Sequence, residues 1–219
     1  MIAKLELYNF IRECGVKDID AFASGCEILR EFLTEYNTHV NLTRLTSVED
    51  FYFKHIADSI SIARFFPEIS REKLKIADIG CGAGFPSLVL ALAFPALQIH
   101  AIDSIGKKIT FVTKAASLLN LTNLHAVCGR SVELNCRQEF QGKFDIVTAR
   151  AVAPSPKIFR EASRFTATGG RFIFYKTPQQ AAEESAVLAE NRQMRWSNTA
   201  CFDLPSSAGE RLFTVGEKI

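Results

Sequence analysis

The chain has 219 residues, 47% of them hydrophobic and 23% charged, and 26 Lys+Arg against 24 Asp+Glu leave a formal net charge of +2. So ordinary an apolar fraction with so small a charge excludes intrinsic disorder, and this length suits one large α/β domain with an attachment. No run approaches the roughly 18 apolar residues of a membrane helix, and six scattered cysteines without a CxxC or Cys/His cluster point to neither a zinc site nor a disulfide framework, but to reduced, mostly core thiols.

Met1 to Ile11 carries Lys4 and Glu6 inside its apolar pattern, where a secretory signal would have an unbroken apolar core, so a cytoplasmic address is expected. From Asp18, the residues Ile19, Phe22, Cys26, Leu29, Leu33 and Tyr36 share one face of a 3.6-residue period, which predicts a helix whose positive N-terminal end suits Asp18 and Asp20. A second helix is expected from Ser47, which has capping-box spacing to Asp50, through Phe51, His55, Ile56, Ser59 and Ile62 toward Phe66, with Pro67 ending it.

After Pro67 short β-rich runs alternate with helical stretches, the signature of a parallel sheet. Strands are predicted at Lys75 to Ile79, Gln98 to Asp103, Leu124 to Cys128, Phe144 to Ala149 and Arg171 to Lys176. Helices are predicted near 86–94, 105–120, 131–138, 155–166 and 178–191. Two further strands, about 195–204 and 211–217, flank the turn-rich Pro205 to Gly209 and are expected to form an antiparallel hairpin at the sheet edge. The expected organisation is a helical extension, 1–66, packed on an α/β body, 67–219.

The first strand of the sheet runs into Asp78-Ile79-Gly80-Cys81-Gly82-Ala83-Gly84-Phe85-Pro86. Glycines between a strand and a helix let a ligand lie against bare backbone at the carboxyl end of the sheet, where α/β folds bind ligands. A dinucleotide fingerprint from Gly80 requires glycine where Phe85 stands, so that pattern is broken. The D-x-G-x-G-x-G form instead resembles motif I of class I S-adenosylmethionine-dependent methyltransferases. Asp103, ending the next strand, has the chemistry to accept both ribose hydroxyls, which either cofactor would use.

The fourth strand, Phe144-Asp145-Ile146-Val147-Thr148-Ala149-Arg150-Ala151, has neither the N/D-P-P-Y/F motif of an amino-methylating enzyme nor the Pro-Cys of a C5-methylating one. Arg150 at its end offers a fixed fork of donors to an electron-rich group. Asn41-Leu42-Thr43, His55-Ile56-Ala57-Asp58-Ser59-Ile60, the GCGAGFP loop, Asp103-Ser104, Lys107-Lys108, Phe111, Arg130, Ala149-Arg150-Ala151 and Lys176 together resemble the bacterial 16S ribosomal RNA guanine-N7 methyltransferase family, RsmG, also called glucose-inhibited division protein B. The resemblance covers about two-thirds of the chain. It implies a class I methyltransferase fold, S-adenosylmethionine as cofactor and transfer to guanine N7 in 16S rRNA or the small ribosomal subunit. Separately from the resemblance, a monomer with no metal and no membrane partner is expected.

Cofactor contacts are then expected at Asp78, Gly80, Gly82, Gly84, Phe85, Asp103, Ser131, Val132 and Arg150. RNA contacts are expected at Lys107, Lys108, Arg130, Arg150 and Lys176, with Arg150 the candidate for positioning the base and no residue assigned as catalyst. Val132 stands where the family commonly has an acid and Thr177 where it has glycine. His55 and Asp58 resemble family positions facing the cofactor side, whereas their spacing alone reads as a pair on a helix surface. The net charge conceals a supporting asymmetry: residues 104–176 hold 12 basic and four acidic side chains, an excess of eight, able to attract phosphate locally. A class I methyltransferase for a small molecule or protein, a non-catalytic RNA-binding relative of that fold and, more distantly, a nicotinamide dehydrogenase remain the competing readings.

Overall fold

A computed structural model describes residues 2–43 and 47–218. Two helices, α1 (Ile2–Glu13) and α2 (Ile19–Asn37), come first, and Asp18 caps α2 by accepting from the Ala21 N–H at 2.9 Å. The helix predicted from Ser47 begins there, with the Asp50 N–H bonded to Ser47 Oγ. It does not wind uniformly: Asp50–Ala57 follows the wider π pattern before α3 (Asp58–Ile60) and α4 (Ile62–Phe65) complete it ahead of Pro67. Uninterrupted α spacing was the expectation, and π turns of this kind concentrate at functional sites.

The sheet then builds as β1 (Lys75–Ile79), α5 (Ser87–Ala93), β2 (Gln98–Asp103), α6 (Gly106–Leu118), β3 (Leu124–Cys128), α7 (Ser131–Leu134) and β4 (Phe144–Arg150). It continues with α8 (Ser155–Ala162), β5 (Thr166–Lys176), α9 (Pro178–Ala189), β6 (Met194–Asn198), β7 (Phe202–Asp203) and β8 (Glu210–Lys218). The described strands lie in the order β3-β2-β1-β4-β5-β8-β6, with β7 paired to β8. The first five are parallel, and β8 runs antiparallel between β5 and β6.

Several predicted bounds are corrected. The helix expected over 131–138 ends at Leu134, and that expected over 155–166 stops at Ala162 because β5 already pairs with β4 from Thr166. The strand expected over 195–204 breaks after Asn198, where Thr199 turns its hydroxyl to the Phe213 N–H, and resumes as the short β7. Only half of the cysteines are core residues. Cys128, Cys136 and Cys201 are exposed, Cys128 because β3 is an edge strand, whereas Cys14, Cys26 and Cys81 are buried and burial pushes their thiols up, Cys14 to about 12.

Strand alternation divides the interior into two cores. On one side Ile76, Ile99, Ile146, Ile173 and Phe213 pack with α5, α6 and the N-terminal helices, through Leu88, Phe111, Phe22, Leu29, Leu33, Ile56 and Ile60. On the other, Ala77, Ile79, Ile102, Val147, Ala149, Phe172 and Phe174 pack with α7 and α8 through Leu134, Ile158, Phe159 and Ala162. The N-terminal segment thus completes one face of the sheet. Among the described residues no helix is long and apolar enough to cross a membrane.

Candidate active site

A cleft of about 510 Å³ opens at the carboxyl ends of β1, β2 and β3. Its floor is Ile79, Gly80 and Ile102. One wall is Asp103, Ser104, Ile105 and Lys108, and the other is Arg130, Ser131, Val132 and the α8 residues Lys157, Ile158 and Glu161. Gly80 has φ +71°, and a Cβ there would stand 2.2 Å from Val152 Cγ2, so only bare backbone fits between the cleft and the turn after β4. The chain carries the Asp103 carboxylate into this cleft by its place at the end of β2: Oδ2 accepts from the Gly82 N–H at 3.0 Å and Oδ1 from the Ile105 N–H at 2.9 Å. Lys108 Nζ lies 3.7 Å from Oδ2. Asp103 therefore pins the glycine turn while keeping lone pairs for a diol.

Of the residues expected to hold the cofactor, the structure gathers Gly80, Asp103, Ser131 and Val132 around this cleft, with Lys108 and Arg130 from the expected RNA set. Gly82, at φ +58°, backs Asp103 from behind the rim. The others face elsewhere. Gly84 serves helix packing, since a Cβ there would meet Leu88 Cδ1 at 2.4 Å. Asp78 is buried beneath the turn, where Oδ2 accepts from Ser87 Oγ at 2.5 Å and Oδ1 has no partner among the described residues. Burial raises its carboxyl to about 6, against the hydrogen bond from Ser87 and the charge of Arg150. Phe85 is buried, its ring stacked on His55 with centroids 4.2 Å apart.

Arg150 shares a sheet face with Ile146 and Thr148, so alternation sends it into the N-terminal layer. Its guanidinium donates to the Lys54 carbonyl at 2.9 Å and Asp58 Oδ2 at 3.0 Å, approaches His55 Nδ1 at 3.2 Å, and lies 5.8 Å above the Phe85 ring. Since arginine only donates, that histidine nitrogen carries no proton. Asp58 Oδ1 accepts from Arg211 Nε of β8 at 3.2 Å. The surface placement that spacing alone suggested for His55 and Asp58 is overturned: both are buried, about 5% exposed, His55 from the π segment and Asp58 from the start of α3 facing inward to Arg150. Arg211 was missed altogether, and nothing local in its sequence marks it.

Beyond the β4 end lies a second cavity, about 350 Å³, lined by Ala151, Val152, Ala153, Pro154, Tyr175, Lys176, Gln180, Glu183 and Glu184. Val152 and Ala153 belong to both walls, and Ala151 takes the left-handed φ of +53° that a non-glycine residue adopts only when held there. Lys176 is buried, its ammonium 2.7 Å from Glu184 Oε1, whose other oxygen accepts from the Ser155 N–H. The structure thus places Lys176 in an ion pair at the cavity wall instead of on an open phosphate-binding face. Lys107, Lys114, Arg130, Arg137, Lys157, Arg160 and Arg164 are exposed.

The cleft fits S-adenosylmethionine on its own chemistry: a carboxylate at the end of β2 for a ribose diol, apolar isoleucines for a purine, and a glycine where a Cβ has no room. An open parallel sheet extended by antiparallel β8, with that cleft at its switch point, defines a class I S-adenosylmethionine-dependent methyltransferase. Residues 24–209 match the GidB family, described as rRNA small subunit methyltransferase G, and the chain belongs to this family.

Among its relatives, the ribosomal RNA small subunit methyltransferase G of Streptococcus pyogenes serotype M4 is 41% identical over 187 residues, 85% of this chain and 77% of that one. The protein of the same name from Lactobacillus delbrueckii subsp. bulgaricus is 33% identical over 85% of this chain and 79% of its own. An O-methyltransferase from Bacillus cereus, described in complex with SAH, superposes with a TM-score of 0.60 at 14% identity, covering 87% of this chain and 90% of that one. An O-methyltransferase from Thermotoga maritima gives 0.58 at 17% identity, covering 85% and 71%. These two likenesses are of fold.

Proposed function

We propose that the chain transfers a methyl group from S-adenosylmethionine to N7 of a guanine in 16S ribosomal RNA. The observation that carries this reading is the juxtaposition of the cofactor-shaped cleft with a second, base-sized cavity across the Val152–Ala153 turn, in a chain of the rRNA small subunit methyltransferase G family. When bound, the cofactor supplies an electrophilic sulfonium methyl. Guanine N7 has an in-plane lone pair and no proton at neutral pH, so no side chain has to act as a base. The work left to the protein is holding two reactants in line and excluding water.

The residues divide that work. Gly80, Asp103, Ser131 and Val132 hold the cofactor, and Asp78, Gly82, Gly84 and Phe85 hold the turn around it. Arg150 fixes the β4 end against Lys54, His55 and Asp58, and so positions Ala151 to Ala153 between the cavities. This makes the 1–66 extension part of the site of the 67–219 domain. Because N7 is hidden in the deep groove of an A-form duplex, the target guanine must be unpaired or flipped to enter. Exposed Lys107, Arg130, Lys157, Arg160 and Arg164 bind phosphate around it, and Lys108, beside Asp103, serves at the rim.

We read the chain as a cytoplasmic monomer acting on this RNA or on the subunit that contains it. Mass spectrometry of 16S rRNA from cells with and without the protein tests the reading: one 7-methylguanosine should disappear in its absence. An unchanged modification profile would refute it, and methyl incorporation into a protein or small molecule instead would establish the competing class.

A further inference from the structure

We infer that Glu161, on α8, is the acceptor that reads the exocyclic amino group of the cofactor's adenine. The inference rests on the cleft being the S-adenosylmethionine site. Asp103 stands at the end of β2, whereas Ser131 and Val132 stand just beyond the end of the neighbouring strand β3, so the cleft runs from one to the other. Adenosine carries its ribose diol at one end and its 6-amino group at the other. With the diol at Asp103, the amino group reaches the Ser131–Val132 end, and an N–H pair buried there needs an acceptor.

The side chains at that end leave few choices. Val132 is an isopropyl group, half exposed on the rim, and Arg130 and Lys157 only donate. Glu161 reaches in from α8. Lys157, Ile158 and Glu161 fall on one face of that helix, the isoleucine forming an apolar wall and the glutamate its polar end. Its carboxylate is already oriented: Oε2 accepts from Ser131 Oγ at 2.8 Å, and Oε1 lies 3.9 Å from Lys157 Nζ. A carboxylate accepts about four hydrogen bonds, so capacity remains for the amine. Its partner Ser131 is itself buried, which holds the carboxylate against the cleft instead of letting it swing into solvent.

The test compares two probes by calorimetry on the whole protein: S-adenosylhomocysteine and S-inosylhomocysteine, in which the 6-amino donor is replaced by an oxo acceptor. The wild type should prefer the adenosyl compound by about tenfold or more, the worth of a hydrogen bond to a charged group. Glu161→Gln, near-isosteric and able to donate to the oxo group, and Glu161→Ala should both bring that ratio close to one. Val132→Glu in the Glu161→Ala background should restore it. A ratio unchanged in both Glu161 variants overturns the inference, as does an equal weakening of both probes, which would make Glu161 only a prop for Ser131. Failure of the wild type to bind S-adenosylhomocysteine would overturn the reading of the cleft as well, so the two failures are distinguishable.

Discussion

Replacing Arg150 by alanine should unsettle the fold and the reaction together. The guanidinium side chain is 12% exposed and its partner Asp58 6% exposed. Removing one member of a buried pair costs about 3–5 kcal/mol, because the other charge stays desolvated. Two features shift the figure in opposite directions. Arg211 remains on Asp58 Oδ1, which favours the low end, while the Lys54 carbonyl and His55 Nδ1 lose the guanidinium as well.

About 3 kcal/mol is therefore expected for Arg150→Ala. About 1 kcal/mol is expected for Arg211→Ala, whose side chain is more exposed and whose loss leaves Arg150 in place. Urea unfolding of the three proteins, with slopes compared to check that the same surface is exposed, measures both. Methyl transfer by Arg150→Ala should be lost even in buffer without urea, since the Ala151 turn is no longer anchored. A variant within about 0.5 kcal/mol of wild type, or Arg211→Ala costing as much as Arg150→Ala, would refute the reasoning.

Asp78 should impose a pH dependence on stability. Its folded value of about 6 lies above the ordinary 3.8, so the folded protein holds this proton more tightly than the unfolded chain. The stabilisation is complete below about pH 4 and lost as pH rises through 6, on the order of 3 kcal/mol. Asp78→Asn should lose less stability than wild type between pH 4 and 7 by urea midpoints, and parallel curves would contradict the assignment. Gly80→Ala should weaken S-adenosylhomocysteine binding at least tenfold, through its positive φ and the collision with Val152. Val152→Ala in that background should recover part of the loss, and calorimetry showing no recovery would count against a steric cause. RNA binding should weaken with salt through counterion release, and each of Lys107→Ala, Arg130→Ala and Arg160→Ala should reduce the log–log slope by about 0.7. A salt-insensitive affinity would remove the exposed basic block from the interface.

Much of this protein follows from local pattern alone. Short β-rich runs separated by helical stretches determine a parallel sheet, because each such strand is covered on both faces by the helices that connect it to the next, and the β1–β5 core lies where those runs lie. The glycine turn and Asp103 are legible for the same reason: backbone approach and a strand-end carboxylate are decided within a few residues of chain. What local pattern does not determine is the partner of a side chain. Arg150 meets Lys54, His55 and Asp58 across more than 90 residues of chain, and Asp58 meets Arg211 across 153. Lys176, one more basic residue by composition, becomes a buried ion pair because α9 brings Glu184 over it. Charge and periodicity are properties of a segment, whereas burial and pairing are properties of two segments brought together. Only the tertiary structure could therefore turn a presumed surface histidine and aspartate into the buried anchor between the N-terminal layer and the site.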